Sequence, residues 1–329
     1  MVLLRLVKKM SKRLRKKLLK KPVKDIKLSE IQSFKELIDA MYESGGFTAK
    51  KLAQATKILI EMFKDRDCTR ILAFPACILA TGTRGIITDV IKRKLFDVVI
   101  TTCGSLDHDL ARSFKDYYHG YFEADDEMLH KLGINRLGNV FLPNESYGII
   151  IEKEMDKILS IIIKDKKITK LSTRELCWIM GEHISDESSF LYWAWKNKIP
   201  VFIPGITDGA VGWHIWRYSQ LNNIAIDILK DEQELSDMIF ESKKLGALII
   251  GGGISKHHTI WWSQFKDGLD YAVYITTAVE WDGSLSGARP REAVSWGKIN
   301  VKAKKAVVEC DATIALPLMF AAIFEELNL

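Results

Sequence analysis

The run ALIIGGGISKHH, residues 247–258, joins four apolar residues to three glycines and then to a segment of helical period. An apolar run this short reads as a buried strand, and glycines at its end mark a turn that side chains would crowd. The same order of strand, small polar loop and helix recurs along the chain. ILAF (71–74) leads into PACILATGTRG, DVVIT (97–101) into TCGSLDHD, IPVFIP (199–204) into GITDG, YAVYIT (271–276) into TAVEWDGS, and AVVEC (306–310) into DAT. IAIDIL (224–229) reads as one more strand. Helical periods fill the intervals at 83–94, 106–115, 189–197, 232–243 and 312–327, and residues 26–66 and 126–183 read as further helices. Strands alternating with helices predict an α/β protein, a doubly wound and mostly parallel Rossmann-like sheet with additional flanking helices.

Composition agrees with that class. The chain has 329 residues, 47% of them hydrophobic, enough for a large core. Its longest apolar run near the end, TIALPLMFAAIF, suits a buried helix and is too short to span a bilayer. The net charge of +6 is misleading: residues 1–21 hold ten Lys or Arg and no acid, and without them 38 basic residues face 42 acidic ones. We therefore read 1–21 as a basic extension, amphipathic through Leu3, Leu6, Met10, Leu14 and Leu18, and 22–329 as a single large domain. Such an extension reads first as a solvated or frayed segment, with contact to nucleic acid, an anionic membrane or a partner subunit as the alternative. Five scattered cysteines with no C-x-x-C pair predict reduced thiols in a cytoplasmic protein, and no histidine spacing calls for a metal.

A doubly wound sheet binds ligands at the carboxyl ends of its strands, and glycine, threonine and aspartate collect at six of them. No G-x-G-x-x-G opens a first helix, so the ordinary dinucleotide fingerprint is absent. Asp208 and Asp311 suit ribose hydroxyls, with the N-caps of the helices that follow them as the lesser alternative. A second feature is Lys298, which ends the run EAVSWGK on a Trp-Gly turn, with Glu292 six residues upstream. Burial beside apolar walls frees a lysine amine for imine chemistry, a carboxylate accepts an ammonium, and a tryptophan offers a cation its π face.

EAVSWGK (292–298), GGG-x-x-KHH (251–258) and TA-x-E-x-DGS-x-SGARP (277–290) together resemble deoxyhypusine synthase. The resemblance runs back through ITDG (206–209), GINRLGN (133–139) and TTCGSLDHDLAR (101–112), covering most of 70–320. It implies NAD held by Thr102, Gly104, Asp208, Gly252, Thr277, Ala278, Asp311 and Ala312. It implies catalysis by Lys298 as the covalent nucleophile and His257 near the polyamine; His108, which stands where the eukaryotic pattern has a carboxylate, is expected to serve as a neutral base. Substrate contacts fall on Asp107, Asp282, Gly283, Ser284, Glu292 and Trp296. The implied reaction carries the aminobutyl group of spermidine, through an enzyme imine, to a lysine of the hypusine-containing translation factor. The implied assembly is a homotetramer, a dimer of dimers with shared sites.

The chain departs from the eukaryotic pattern of that family. Asp107 keeps one of two acids while His108 replaces the other, and Trp213, Trp261 and Leu285 stand at positions that are polar there. Two anchors for terminal ammonium groups are thereby lost. Trp213, Trp261 and Trp296 are expected to form an aromatic box, with Asp282 and Glu292 supplying charge. Aminobutyl transfer to a free polyamine, as in homospermidine synthesis, and a catalytically silent NAD-binding regulator stay open as alternatives.

Overall fold

A computed structural model describes residues 12–329. Its centre is a six-stranded sheet of β1 (Cys68–Ala73), β2 (Val98–Ile100), β3 (Val201–Phe202), β4 (Lys244–Ile250), β5 (Leu269–Thr276) and β6 (Ile299–Glu309). The spatial order is β6-β5-β4-β1-β2-β3 and every pairing is parallel. The chain builds outward from β1 to one edge, returns to the centre at β4, and builds outward to the other. This is the doubly wound order, with its switch point between β1 and β4.

The strands read as unbroken apolar runs because both faces are covered. Leu72, Phe74, Val99, Leu248 and Ile250 join one core cluster, while their neighbours Ile71, Ala73, Val98, Ala247 and Ile249 join the other. The first face is heavily clad. It takes α1 (Phe34–Glu43), α2 (Phe47–Lys64), α3 (Thr83–Lys92), α4 (Cys103–Arg112), α5 (Gly148–Ser160), α6 (Thr173–Ile184), α7 (Phe190–Asn197) and α8 (Ala210–Ser219). The second face takes α9 (Ile228–Glu241), α10 (Gly253–Ser263) and α11 (Pro290–Ser295), and α12 (Ala312–Leu327) returns to the first. A buried ion pair, Arg84 to Asp109 at 2.7 Å, ties α3 to α4. Asp109 also accepts from the Ser189 hydroxyl at 2.6 Å, which locks in the start of α7.

Two regions differ from the sequence expectation. Of 224–229, only Ala225–Ile226 is extended, pairing with Lys170–Leu171 in a separate two-stranded sheet. Asp227 then caps α9 by accepting the Lys230 N–H at 3.2 Å, so Ile228 and Leu229 begin a helix. Within 126–183, Ile134–Leu137 and Val140–Pro143 form an antiparallel hairpin turning at Gly138 (φ +60°), with Tyr118–His119 as a third strand. Of the basic segment 1–21, residues 1–11 lie outside the described residues; residues 12–18 are helical, with Leu14 and Leu18 exposed. Among the described residues no helix is long and apolar enough to cross a membrane.

Candidate active site

The carboxyl ends of the strands bring the expected cofactor residues to one edge of the sheet. Thr102 and Gly104 open α4 after β2, Asp208 follows β3, Gly252 follows β4, Thr277 and Ala278 follow β5, and Asp311 and Ala312 follow β6. Gly252 is required: a Cβ there would lie 2.1 Å from the Ser286 hydroxyl. Asp311 caps α12, accepting the Thr313 N–H at 2.8 Å. Asp208 is exposed and caps nothing; the N-cap position of α8 is Gly209.

Asp107 does the capping of α8 instead. Buried at 1% exposure, its carboxylate accepts the N–H of Ala210 at 2.9 Å and of Val211 at 2.8 Å, and the Tyr147 hydroxyl at 3.1 Å. Burial pushes its pKa up, and these hydrogen bonds act against that rise. Its neighbour His108 is buried against two tyrosines, with Nδ1 3.0 Å from the Tyr117 hydroxyl. Burial first, and the Arg112 cation second, push His108 down to about 4, so the imidazole is neutral at pH 7.

Lys298 lies elsewhere. α11 ends in a turn at Gly297 (φ +70°), and Lys298 comes immediately before β6, its carbonyl accepting the Leu269 N–H at 3.1 Å. Lys298 thus sits at the amino end of β6, more than about 20 Å along the sheet from the strand-end loops, since the paired strand β5 covers that stretch in the steps from Leu269 to Thr276 at a rise of about 3.3 Å each. Its Nζ lies 5.4 Å from the Trp296 ring and 5.8 Å from the Trp261 ring. Trp261 in turn stacks on His257, with ring centres 5.8 Å apart and planes 22° from parallel. Burial, and then the nearby Lys298 charge, push the His257 pKa down. Trp213 is on α8 beside Trp216, so the three-tryptophan box is not formed within one chain; two of its members flank Lys298.

Between α10, α11 and β5 runs a cavity of about 200 Å³ lined by Lys298, Trp296, Glu292, Arg289, Leu285, Tyr274 and Lys256. Glu292 is exposed at its rim. Asp282, Gly283 and Ser284 do not line it. They form an exposed turn in which Asp282 accepts the Ser284 N–H at 2.7 Å, and the Ser284 hydroxyl first, with this N–H second, holds the Asp282 carboxyl below its usual range. Lys256 was not singled out by sequence reasoning. It is 1% exposed, donates to the carbonyls of Leu285 at 2.7 Å and Ala288 at 2.8 Å, and is pushed down by burial to about 8. The KHH run held the only hint of it, because its burial depends on a loop thirty residues further on.

The class defined here is a doubly wound α/β protein with polar strand ends and a lysine-lined cavity on its thinly covered face. The deoxyhypusine synthase family model matches residues 36–323. A protein of Picrophilus torridus named as a probable deoxyhypusine synthase is 56% identical over 308 residues, covering 93% of this chain and 98% of the relative. One of Ignicoccus hospitalis with the same name is 49% identical over 320 residues, covering 95% and 99%. This chain belongs to the deoxyhypusine synthase family. The crystal structure of an Entamoeba histolytica protein assigned to the same enzymes shares the fold, with a TM-score of 0.63 at 21% identity over 92% of this chain and 97% of that one. A further fold neighbour is AgrE, solved with ornithine and NAD+, with a TM-score of 0.52 at 13% identity over 86% of this chain and 34% of that one.

Proposed function

We propose that this chain moves the aminobutyl group of spermidine, through an imine on Lys298, to a lysine of the hypusine-containing translation factor, with NAD as its cofactor. The observation that carries the reading is the placement of Lys298, between two tryptophans and on a cavity with one carboxylate at its rim, in a chain of this family.

The strand-end residues fit a dinucleotide. α4 and α10 begin without side-chain caps, so their first N–H groups are free for a pyrophosphate. Asp208 and Asp311 present exposed carboxylates for ribose hydroxyls. Thr102, Gly104, Asp208, Gly252, Thr277, Ala278, Asp311 and Ala312 would hold the group. When bound, NAD supplies a hydride acceptor for the substrate carbon and returns the hydride at the end, so the transfer has no net redox change.

The residues of this chain do the rest. Glu292 pairs with a substrate ammonium, and Trp261 and Trp296 confine the methylene chain. Lys298 attacks the imine carbon and takes the aminobutyl group as diaminopropane departs. His257, stacked on Trp261, lies beside the reacting nitrogen, and neutral His108 is available as a base behind Asp107. Asp282, Gly283 and Ser284 lie on a turn beside the cavity, where they contribute to a site completed by a second copy. The exposed Trp296, at 67%, and the distance from Lys298 to the strand-end edge favour a dimer of dimers whose sites lie between subunits.

The test is reductive trapping. Borohydride added with NAD and spermidine should leave an aminobutyl adduct on the Lys298 peptide, and Lys298→Arg should abolish it while assembly and NAD binding persist. An adduct on Lys256 instead overturns the assignment. Transfer from the adduct to the translation factor supports the proposed acceptor; transfer to putrescine alone makes the chain a free-polyamine transferase.

A further inference from the structure

Tyr274 lines the Lys298 cavity, and the proposed reaction leaves its hydroxyl unused. Tyr274, near the carboxyl end of β5, is 1% exposed, and among the described residues its Oη has no hydrogen-bond partner. A buried hydroxyl left unpaired is destabilising, so its retention needs a reason. Phenylalanine would fill the same space without that cost. The ring is already occupied, with the Lys256 ammonium 4.3 Å from its centre, and only the hydroxyl is unspent. Burial, with the Glu292 charge adding to it, pushes the phenol pKa up, so Oη keeps its proton and serves as a donor.

The surrounding charge indicates the kind of atom this donor meets. Two cations other than the nucleophile, Lys256 and Arg289, line the cavity against a single carboxylate, Glu292. Arg289 is also buried, with Nη1 unpartnered among the described residues. Such a pocket disfavours a protonated amine at its inner end and accommodates a neutral nitrogen or oxygen with a lone pair. We propose that Tyr274 is a catalytic residue of the Lys298 reaction, its hydroxyl donating a hydrogen bond and then a proton to the group that leaves the tetrahedral intermediate.

The step balances without any oxidant. The Lys298 nitrogen attacks an imine or aldehyde carbon and forms a C–N bond. The intermediate then breaks its bond to the departing amine or hydroxyl, which takes the Tyr274 proton, while the Lys298 nitrogen loses one that restores the phenol. This inference rests on the Lys298 reading, and the experiment separates the two.

Butanal with cyanoborohydride forms and traps the lysine imine directly, without polyamine or NAD. In the wild-type protein, butylation of Lys298, followed by peptide mass, should outpace that of surface lysines. Tyr274→Phe should slow Lys298 butylation by about tenfold or more, the ordinary range for losing one positioned proton donor, and leave surface lysines unchanged. Its Tm should equal or exceed that of wild type, because an unpaired hydroxyl has been removed. Unchanged Lys298 butylation in Tyr274→Phe overturns the Tyr274 role alone. Loss of folding overturns it too, since the hydroxyl would then have a partner within the protein. Wild-type Lys298 no faster than surface lysines overturns the nucleophile assignment, and the Tyr274 role with it.

Discussion

The Lys256 ammonium lies 2.8 Å from the carbonyl oxygen of Ala288, and with its bond to Leu285 it holds the 285–288 loop against α10. A charge so buried makes stability depend on pH. Lys256 is pushed down from 10.5 to about 8 by burial, so between those values the unfolded chain binds the extra proton and stability rises with pH. Comparing wild type with Lys256→Met by denaturant unfolding, the difference should shift toward wild type by on the order of 3 kcal/mol from pH 8 to 10.5. A difference constant across that range would show that the lysine does not titrate there.

His108 gives the opposite window. Its folded pKa of about 4 lies below the ordinary 6.5, so the unfolded chain takes up the proton first and stability is lost as pH falls between the two. That loss should be on the order of 3 kcal/mol and absent from His108→Phe. Parallel acid-unfolding curves for the two proteins would place His108 in a wetter environment than the structure does.

Asp208 and Asp311 separate cofactor binding from helix capping. Asp208→Ala should leave the Tm unchanged, because the side chain caps nothing, while weakening NAD by about 1–3 kcal/mol. Asp311→Ala should weaken NAD and also remove about 1 kcal/mol of stability with the cap on Thr313. Calorimetric titration with NAD beside thermal melts distinguishes them; equal NAD affinity in all three proteins would leave both aspartates structural.

Glu292 is the one carboxylate lining the cavity, so Glu292→Gln should cut kcat/KM for spermidine by about tenfold or more while NAD affinity holds. Normal turnover by this variant would move amine recognition to other acids, Asp282 first among them.

The strand-end grammar made the parallel sheet readable because buried strands are apolar on both faces and their loops are not. Ile228 and Leu229 defeated that reading: they are apolar yet begin an amphipathic helix, at 48% and 74% exposure. The hairpin at 134–143 carried a legible turn in Leu-Gly-Asn-Val, but its strands are too short for a clear period. At the site, Lys298, Glu292 and Trp296 were legible because they share one run of seven residues. Asp107 was legible as an acid but not as the cap of a helix 103 residues later, and Tyr274 and Lys256 appeared only when loop and strand came together. Local chemistry is written locally, while burial is not.

The switch point also governs how the chain can come into being. Asp67, at the entrance to β1, meets Lys243, at the entrance to β4, across 176 residues at 2.9 Å. During synthesis the central strand of the sheet therefore waits, with one edge unpaired, until three quarters of the polypeptide has left the ribosome. Folding dominated by so distant a pairing is slow, and in that interval β1 offers an open edge to other nascent chains.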